Sequence, residues 1–238
     1  VSENLNAAGH ALELLLSFNQ ELLHIVGISV AVSLSASIAA AAIGLPLGAA
    51  LAVFRFRGRA FLILLANALL GLPPVMVGLI LYLLLSRSGP FGVLGLLFTP
   101  FAMALAQFLL ALPIVVALSH RTMAGVWKEC GDDLLILGAS RLQAIPYVLA
   151  MGRMEAMTAS LTGFGRTLSE VGAILIVGGN IAGYTRTMTT SIVLETSEGN
   201  FGFALALGLV LVAISITVSA CVFTIESRSP QPPAKELA

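Results

Sequence analysis

Lysine is nearly missing from this chain: Lys128 and Lys235 are the only two, and neither follows a glycine. A phosphate-cradling loop needs Gly-Lys-Ser/Thr, so no nucleotide site of that kind is present. Histidine is equally sparse. His10, His24 and His120 stand far apart, and no His-x-x-x-His, Gly-x-Ser-x-Gly or paired-carboxylate arrangement points to catalysis or a metal. The two cysteines, Cys130 and Cys221, form no Cys-x-x-Cys; they are expected to be reduced, metal-free thiols on the cytoplasmic side. Charge is scarce as well. Only 10% of the residues are charged, and 12 basic side chains balance 12 acidic ones. That leaves no electrostatic footprint for nucleic acid. The chain begins at Val1, and no short cleavable signal pattern is expected in it.

What is present is apolar. Of 238 residues 58% are hydrophobic, and the mean hydropathy is +1.01. A soluble domain carries roughly 25% charged residues, so this composition predicts an integral membrane protein, all-α, in which each helix satisfies its own backbone. Five uncharged or nearly uncharged runs are long enough to span, about 25–54, 60–86, 101–118, 156–177 and 201–225. Residues 1–228 are expected to form one transmembrane domain, followed by a disordered, proline-containing tail at 229–238.

In chain order, Val1–Leu23 is mildly amphipathic and reads as an outer-surface helix or as part of a longer span. The first span is rich in small residues, Ser29, Ser33, Ser35, Ser37 and Ala39 to Ala42, which let helices approach closely in lipid. Gly44 and Pro46 are expected to loosen its end. The second span contains Leu72-Pro73-Pro74, a break tolerated only inside protein or beside a cavity. It serves either packing alone or a pathway. The fourth span holds Gly163, Gly165, Arg166, Thr167, Ser169, Glu170 and Gly172. An arginine at mid-membrane depth must face the bundle interior, and Glu170 at i+4 is its natural partner. The pair either ties helices together or lies beside a pathway as a gate. The polar loop Gly178–Asn200 is either a turn-rich connector or the mouth of that pathway, where Gly178, Gly179, Asn180 and Gly183 would offer backbone N–H groups and Thr185, Thr187, Thr189 and Thr190 hydroxyls.

The segment Ser119–Met154 interrupts the oil with mixed, charged sequence. Val126–Leu137 predicts one short helix. Ser140 with Gln143 three residues on predicts a capping box starting a second, with Leu142, Ile145, Val148 and Leu149 on one apolar face and Pro146 kinking it or ending it early. A helix with an exposed apolar face fits a groove on a partner, although an amphipathic interfacial loop would show the same pattern.

This segment resembles the coupling loop of ABC importer permeases, Glu-Ala-Ala, three residues, Gly, then nine residues to Ile-x-Leu-Pro. Here Asp132-Asp133-Leu134 lie at the Glu-Ala-Ala position, Gly138 is the glycine, Ala139-Ser140-Arg141 follow it, Val148 takes the Ile position, and Ala150-Met151 replace Leu-Pro. Leu72–Gly92 is similar to the second-span region of oxyanion importer permeases. Gly163–Ile192, with its Arg, Glu and Gly-Asn series, resembles the molybdate, tungstate and sulfate permeases, and V-L-E-T-S-E-G-N-F-G-F-A-L-A-L-G looks most like the tungstate type. Many molybdate permeases have six spans where five are counted here.

The resemblance implies a transmembrane subunit of an ATP-driven, binding-protein-dependent importer for a tetrahedral oxyanion: tungstate first, then molybdate, then sulfate. It implies a homodimer, two ATPase subunits that hold ATP and Mg, an extracytoplasmic oxyanion-binding protein, and no cofactor or catalysis in this chain. Asp132, Asp133, Gly138, Ala139, Ser140 and Arg141 become the ATPase-coupling residues, and Arg166, Glu170, Gly178 and Asn180 the pathway or gate. With that loop cytoplasmic, five spans put the N-terminus outside and the C-terminus inside, with nine Lys and Arg inside against two outside, as the positive-inside rule asks. The plasma membrane of a bacterium or archaeon is the expected place. A self-contained secondary transporter or channel is the other reading, but no internal repeat of the kind such folds show is found. A membrane-embedded enzyme would need clustered His, Asp or Glu, which are missing.

Overall fold

The computed structural model describes residues 2–17 and 19–228; the predicted tail at 229–238 lies outside them. Every regular element among the described residues is helical: α1 (Ser2–Leu16), α2 (Gln20–Val53), α3 (Arg59–Ala68), α4 (Pro74–Leu85), α5 (Pro100–Ile136), α6 (Arg141–Met151), α7 (Arg153–Leu168), α8 (Gly172–Gly178), α9 (Met188–Ser197) and α10 (Phe201–Arg228). Single 3-10 turns follow α3 at Leu69–Gly71 and precede α5 at Gly92–Leu94.

Three helices, α2, α5 and α10, are long and apolar enough to cross a membrane alone, and two bent pairs bring the count to as many as five. At a rise of 1.5 Å per residue, the 34 residues of α2 reach about 51 Å and the 37 of α5 about 55 Å. Both exceed a hydrocarbon core of about 30 Å. The surplus of α5 lies past its apolar run. The helix predicted at Val126–Leu137 is therefore no separate element but the continuation of the third span, unbroken to Ile136. Asn19 starts α2 by accepting from the Glu21 and Leu22 amides, and Thr99 starts α5 by accepting from Ala102, the usual role of a short polar side chain at a helix start.

The second span is not straight. The helix ends at Gly71, Leu72 and Pro73 are extended (ψ 125° and 120°), and Pro74 opens α4, so α3 and α4 meet at 101°. A residue before proline is pushed out of the helical region, and proline suits the first helical turn. The double proline is thus a corner. The fourth span breaks too: α7 stops at Leu168 and α8 starts at Gly172, with a 62° bend. Proline inside helices has less effect than expected. α2 runs through Pro46 to Val53 and α6 through Pro146 to Met151.

The core is organised along α2 and α5. One apolar cluster joins α2, α4, α5 and α8 through Val32, Leu81, Met103, Ile174 and Val177. A second joins α1, α2, α9 and α10 through Ala11, Ile25, Met188 and Leu207. A third joins the far end of α2 to α5, α6 and α7 through Val53, Met123, Val148 and Ala156. Gly44, expected with Pro46 to loosen the end of α2, forms with Gly48 its contact stripe with α5. A Cβ on Gly44 would sit 2.9 Å from Val115 Cγ1, and one on Gly48 would sit 2.5 Å from Ser119 Cβ and 2.8 Å from the His120 amide. Small residues at a spacing of four allow this approach. Gly48→Ala is expected to push α2 and α5 apart and cost about 1–3 kcal/mol, the usual range for overpacking. Thermal unfolding of the detergent-solubilised protein should show a clear fall in midpoint, whereas Gly27→Ala, open to space, should leave it nearly unchanged.

Candidate functional site

The turn between α5 and α6 is built by local chemistry. The Gly138 amide donates to Leu135 O and the Ala139 amide to Leu134 O, each at 3.0 Å. This paired closure of a helix end needs a left-handed residue, and Gly138 has φ 89°. Ser140 then caps α6: its Oγ accepts from the Gln143 amide while Gln143 Oε1 accepts from the Ser140 amide at 2.9 Å. Two charged anchors tie this end of the molecule together. Arg141 Nη1 donates to Val53 O at 2.8 Å, and Arg59 Nε donates to Leu51 O at 2.6 Å. Both satisfy carbonyls at the C-terminus of α2, where the helix dipole favours cations. Arg141 therefore faces inward and fixes α6 on α2, rather than reaching outward.

The apolar face of α6 divides. Val148 is buried, with Ile145 and Leu149 packed around the same cluster, but Leu142, in the first turn of the helix, is 68% exposed. Ile136, Leu137, Leu142, Tyr147 and Met151, around the α5–α6 turn and along α6, are also exposed. Asp132 and Asp133 are exposed on the last turns of α5, as is Ser140 in the turn.

In the middle of the bundle runs a polar seam. Ser29, Ser33 and Ser37 recur at every fourth residue on one face of α2. Ser29 Oγ accepts from the Met188 amide of α9 at 2.7 Å, Ser33 Oγ accepts from Gln107 Nε2 of α5 at 3.2 Å, and Ser37 Oγ lies 3.1 Å from Thr167 Oγ1 of α7. Gln107 Nε2 also donates to Thr167 O at 2.9 Å, and its Oε1 is buried without a partner. Sequence reasoning missed Gln107. Its signal was there: it is the one amide in the apolar run Phe101–Leu118.

The seam leads to the break between α7 and α8. Arg166, placed at mid-span by the sequence, occupies the last turn of α7, and Glu170 lies beyond the helix end in the corner. They meet nonetheless: Arg166 Nη1 donates to Glu170 Oε2 at 2.7 Å. The two ends of the pair differ. The glutamate side chain is 4% exposed and the arginine 36%. Glu170 also holds the corner itself, since Oε1 accepts from the Ala173 amide at 3.2 Å and its carbonyl accepts from Thr189 Oγ1 at 2.8 Å. A carboxylate at the start of α8 suits both the free amides and the dipole there.

The segment after α8 is less open than its sequence suggests. Gly178 is the last residue of α8, and a Cβ on it would strike Met103 Cγ at 2.9 Å; Gly179 packs against Phe98 in the same way. Gly179 and Asn180 are both left-handed, φ 69° and 51°, and together end the helix. Asn180 Oδ1 is buried without a partner. The four threonines turn inward. Thr185 Oγ1 donates to Gly178 O, Thr189 binds Glu170, and Thr187 with Thr190 forms the capping box of α9, itself not foreseen in the loop. All four are buried, so they line no open mouth. No cluster of His, Cys, Asp or Glu able to hold a metal occurs among the described residues.

No protein-family model matches the chain. Individual proteins do. It is 41% identical over 150 residues to a probable anion ABC transporter permease protein of Haloferax volcanii, covering 61% of this chain and 65% of that one. It is 39% identical over 191 residues to a tungstate uptake system permease protein of Peptoclostridium acidaminophilum, covering 80% and 84%. A tungstate uptake system permease protein of Campylobacter jejuni is 42% identical over 151 residues, 62% of each chain. Two of the three alignments thus span just under two thirds of the relative's length.

Proposed function

This chain belongs to the anion ABC transporter permeases, and we propose that it forms the membrane path of an ATP-driven importer for a tetrahedral oxyanion, tungstate before molybdate or sulfate. In this reading two copies of the chain make the path, two ATPase subunits supply ATP and Mg, and an extracytoplasmic binding protein delivers the anion. The names of the tungstate relatives support the choice of anion. The chain's contribution is positional, not catalytic.

The coupling end supports this reading best. A long helix leaves the membrane body, turns at Gly138 and delivers a short helix pinned by Arg141 to Val53 O, with Ile136, Leu137, Leu142, Tyr147 and Met151 facing outward. An exposed apolar knob on a rigid base is the shape a groove on another protein accepts. Force applied there by a closing ATPase pair is passed to α2 and α5 through the buried cluster around Val53, Met123 and Val148.

Copurification tests it: the ATPase subunit expressed with this chain should stay bound in detergent, and Leu142→Asp/Tyr147→Asp should release it. A chain purified alone that still moves tungstate without any ATPase would favour a self-contained transporter. Orientation is checked by labelling. In a Cys130→Ser/Cys221→Ser background, a cysteine at exposed Ser140 should react only from the cytoplasmic side, and one at exposed Ala182 only from outside. Thr187, at 2% exposure, would not report. Labelling of both positions from one face would overturn the topology.

A further inference from the structure

We propose that the cleft at the start of α2 is an oxyanion site of this chain, with Arg186 as its cationic fork; the choice of ligand rests on the importer reading above. The cleft has a volume of about 730 Å³ and lies between the first turns of α2 and the segment before α9, lined among others by Gln20, Glu21, His24, Gly183 and Arg186. It sits at the end of α2 opposite the coupling segment, which binds Val53 at the other end.

Arg186 is the observation that calls for a ligand. Its side chain is only 18% exposed, its Nε is fully buried without a hydrogen-bond partner, and among the described residues its side chain makes no hydrogen bond. Its one acidic neighbour is Glu21, 3.9 Å from Nη1, too far for a hydrogen bond. Glu21 is itself 63% exposed. A guanidinium this buried is costly unless its charge and its fork are answered. A loose, solvated carboxylate at 3.9 Å answers the charge only in part and the fork not at all.

The arginine is also held still. The residue before it, Thr185, is fixed by donating to Gly178 O at 2.6 Å and accepting from the Ile181 amide at 2.9 Å. The residue after it, Thr187, is locked in the α9 capping box. The Arg186 amide donates to Ile181 O. A side chain on so fixed a base loses little freedom when it binds, which favours affinity. The planar fork of arginine matches two oxygens of a tetrahedral oxyanion. Gln20 and His24, one turn apart on the same face of α2, lie in the same cleft and bring an amide and an imidazole N–H as further donors. The α2 amides are not part of the site, because Asn19 Oδ1 already takes those of Glu21 and Leu22. Glu21 is a resident counter-ion that the arriving dianion displaces.

The test is calorimetric titration of sodium tungstate at pH 8 into the full chain in nanodiscs, with and without its ATPase partner, and without any binding protein. Wild type should bind saturably. Arg186→Gln should weaken binding at least tenfold, Arg186→Lys should weaken it less, and Glu21→Gln, which removes the competing charge, should tighten it severalfold. The gain in Glu21→Gln guards against misfolding, since a damaged chain would not bind more tightly. No saturable binding in wild type, undiminished binding in Arg186→Gln, or unchanged affinity in Glu21→Gln would overturn the site. If the ATPase copurifies and tungstate does not bind, the site fails and the permease reading stands. If tungstate binds through Arg186 and no ATPase copurifies, the site stands and the permease reading falls.

Discussion

Gly138→Val is expected to cut tungstate uptake into proteoliposomes at least tenfold. No side chain would clash there: a Cβ at Gly138 meets nothing within 4 Å. The penalty lies in the backbone, where φ 89° costs an L-residue about 1–2 kcal/mol and a β-branched one more. The turn would relax to a negative φ. That breaks the paired closure by the Gly138 and Ala139 amides and swings α6 off its anchor on Val53. The membrane body, whose clusters lie mostly elsewhere, should keep its thermal midpoint. Asparagine tolerates the left-handed region, so Gly138→Asn should retain most uptake. Equal uptake by the valine and wild-type proteins would remove this turn from the coupling path.

The contrast between that turn and the rest of the chain shows where sequence is legible. Gly138, Ser140 and Gln143 act through local rules of helix ends, and such rules need only neighbours in the chain. The apolar runs that form α2, α5 and α10 were equally readable, because a long apolar run has few ways to satisfy its backbone in lipid. One failure was local: no turn residue interrupts α5 before Ile136, although the charged sequence suggested a separate helix from Val126. The others were set by distant residues. Gly44 looked like a weak point in α2, yet with Gly48 it packs on a partner stripe at Val115 and Ser119 about 70 residues on. The four threonines of the 185–190 stretch read as exposed because they sit in a polar loop; the acceptors that turn them inward, Gly178 O and Glu170 O, are fixed only by the fold. Arg186 carries the same lesson in reverse, since its sequence position suggests an exposed loop and the packing makes it a buried charge.

Glu170 will prove more costly to lose than Arg166, although they form one ion pair. The guanidinium is partly exposed, so water can take over some of its bonds, whereas the carboxylate is 4% exposed and serves two partners, Arg166 and the Ala173 amide. Glu170→Leu leaves the buried Ala173 N–H unpaired, a loss of about 1–3 kcal/mol, beside an unanswered charge. The apolar double variant Arg166→Met/Glu170→Leu removes that charge but not the orphaned amide, so its assembly with the ATPase should recover only in part. Arg166→Met/Glu170→Gln should recover more, because the glutamine oxygen still accepts from Ala173 and no charge is left over, only a neutral NH2 on the side that Arg166 leaves open. That last pair isolates the question of gating. The corner it occupies joins α7 to α8 at 62°, next to the seam of Ser37, Gln107 and Thr167, and in the gating reading Arg166 and Glu170 part when this corner moves. A charge pair can exchange its partners for a passing dianion; Met and Gln offer no charge to do so. The assembled Met/Gln protein is therefore expected to hydrolyse ATP and to carry tungstate at less than a tenth of the wild-type rate. Wild-type uptake by that protein would show that the pair holds the corner and does nothing more.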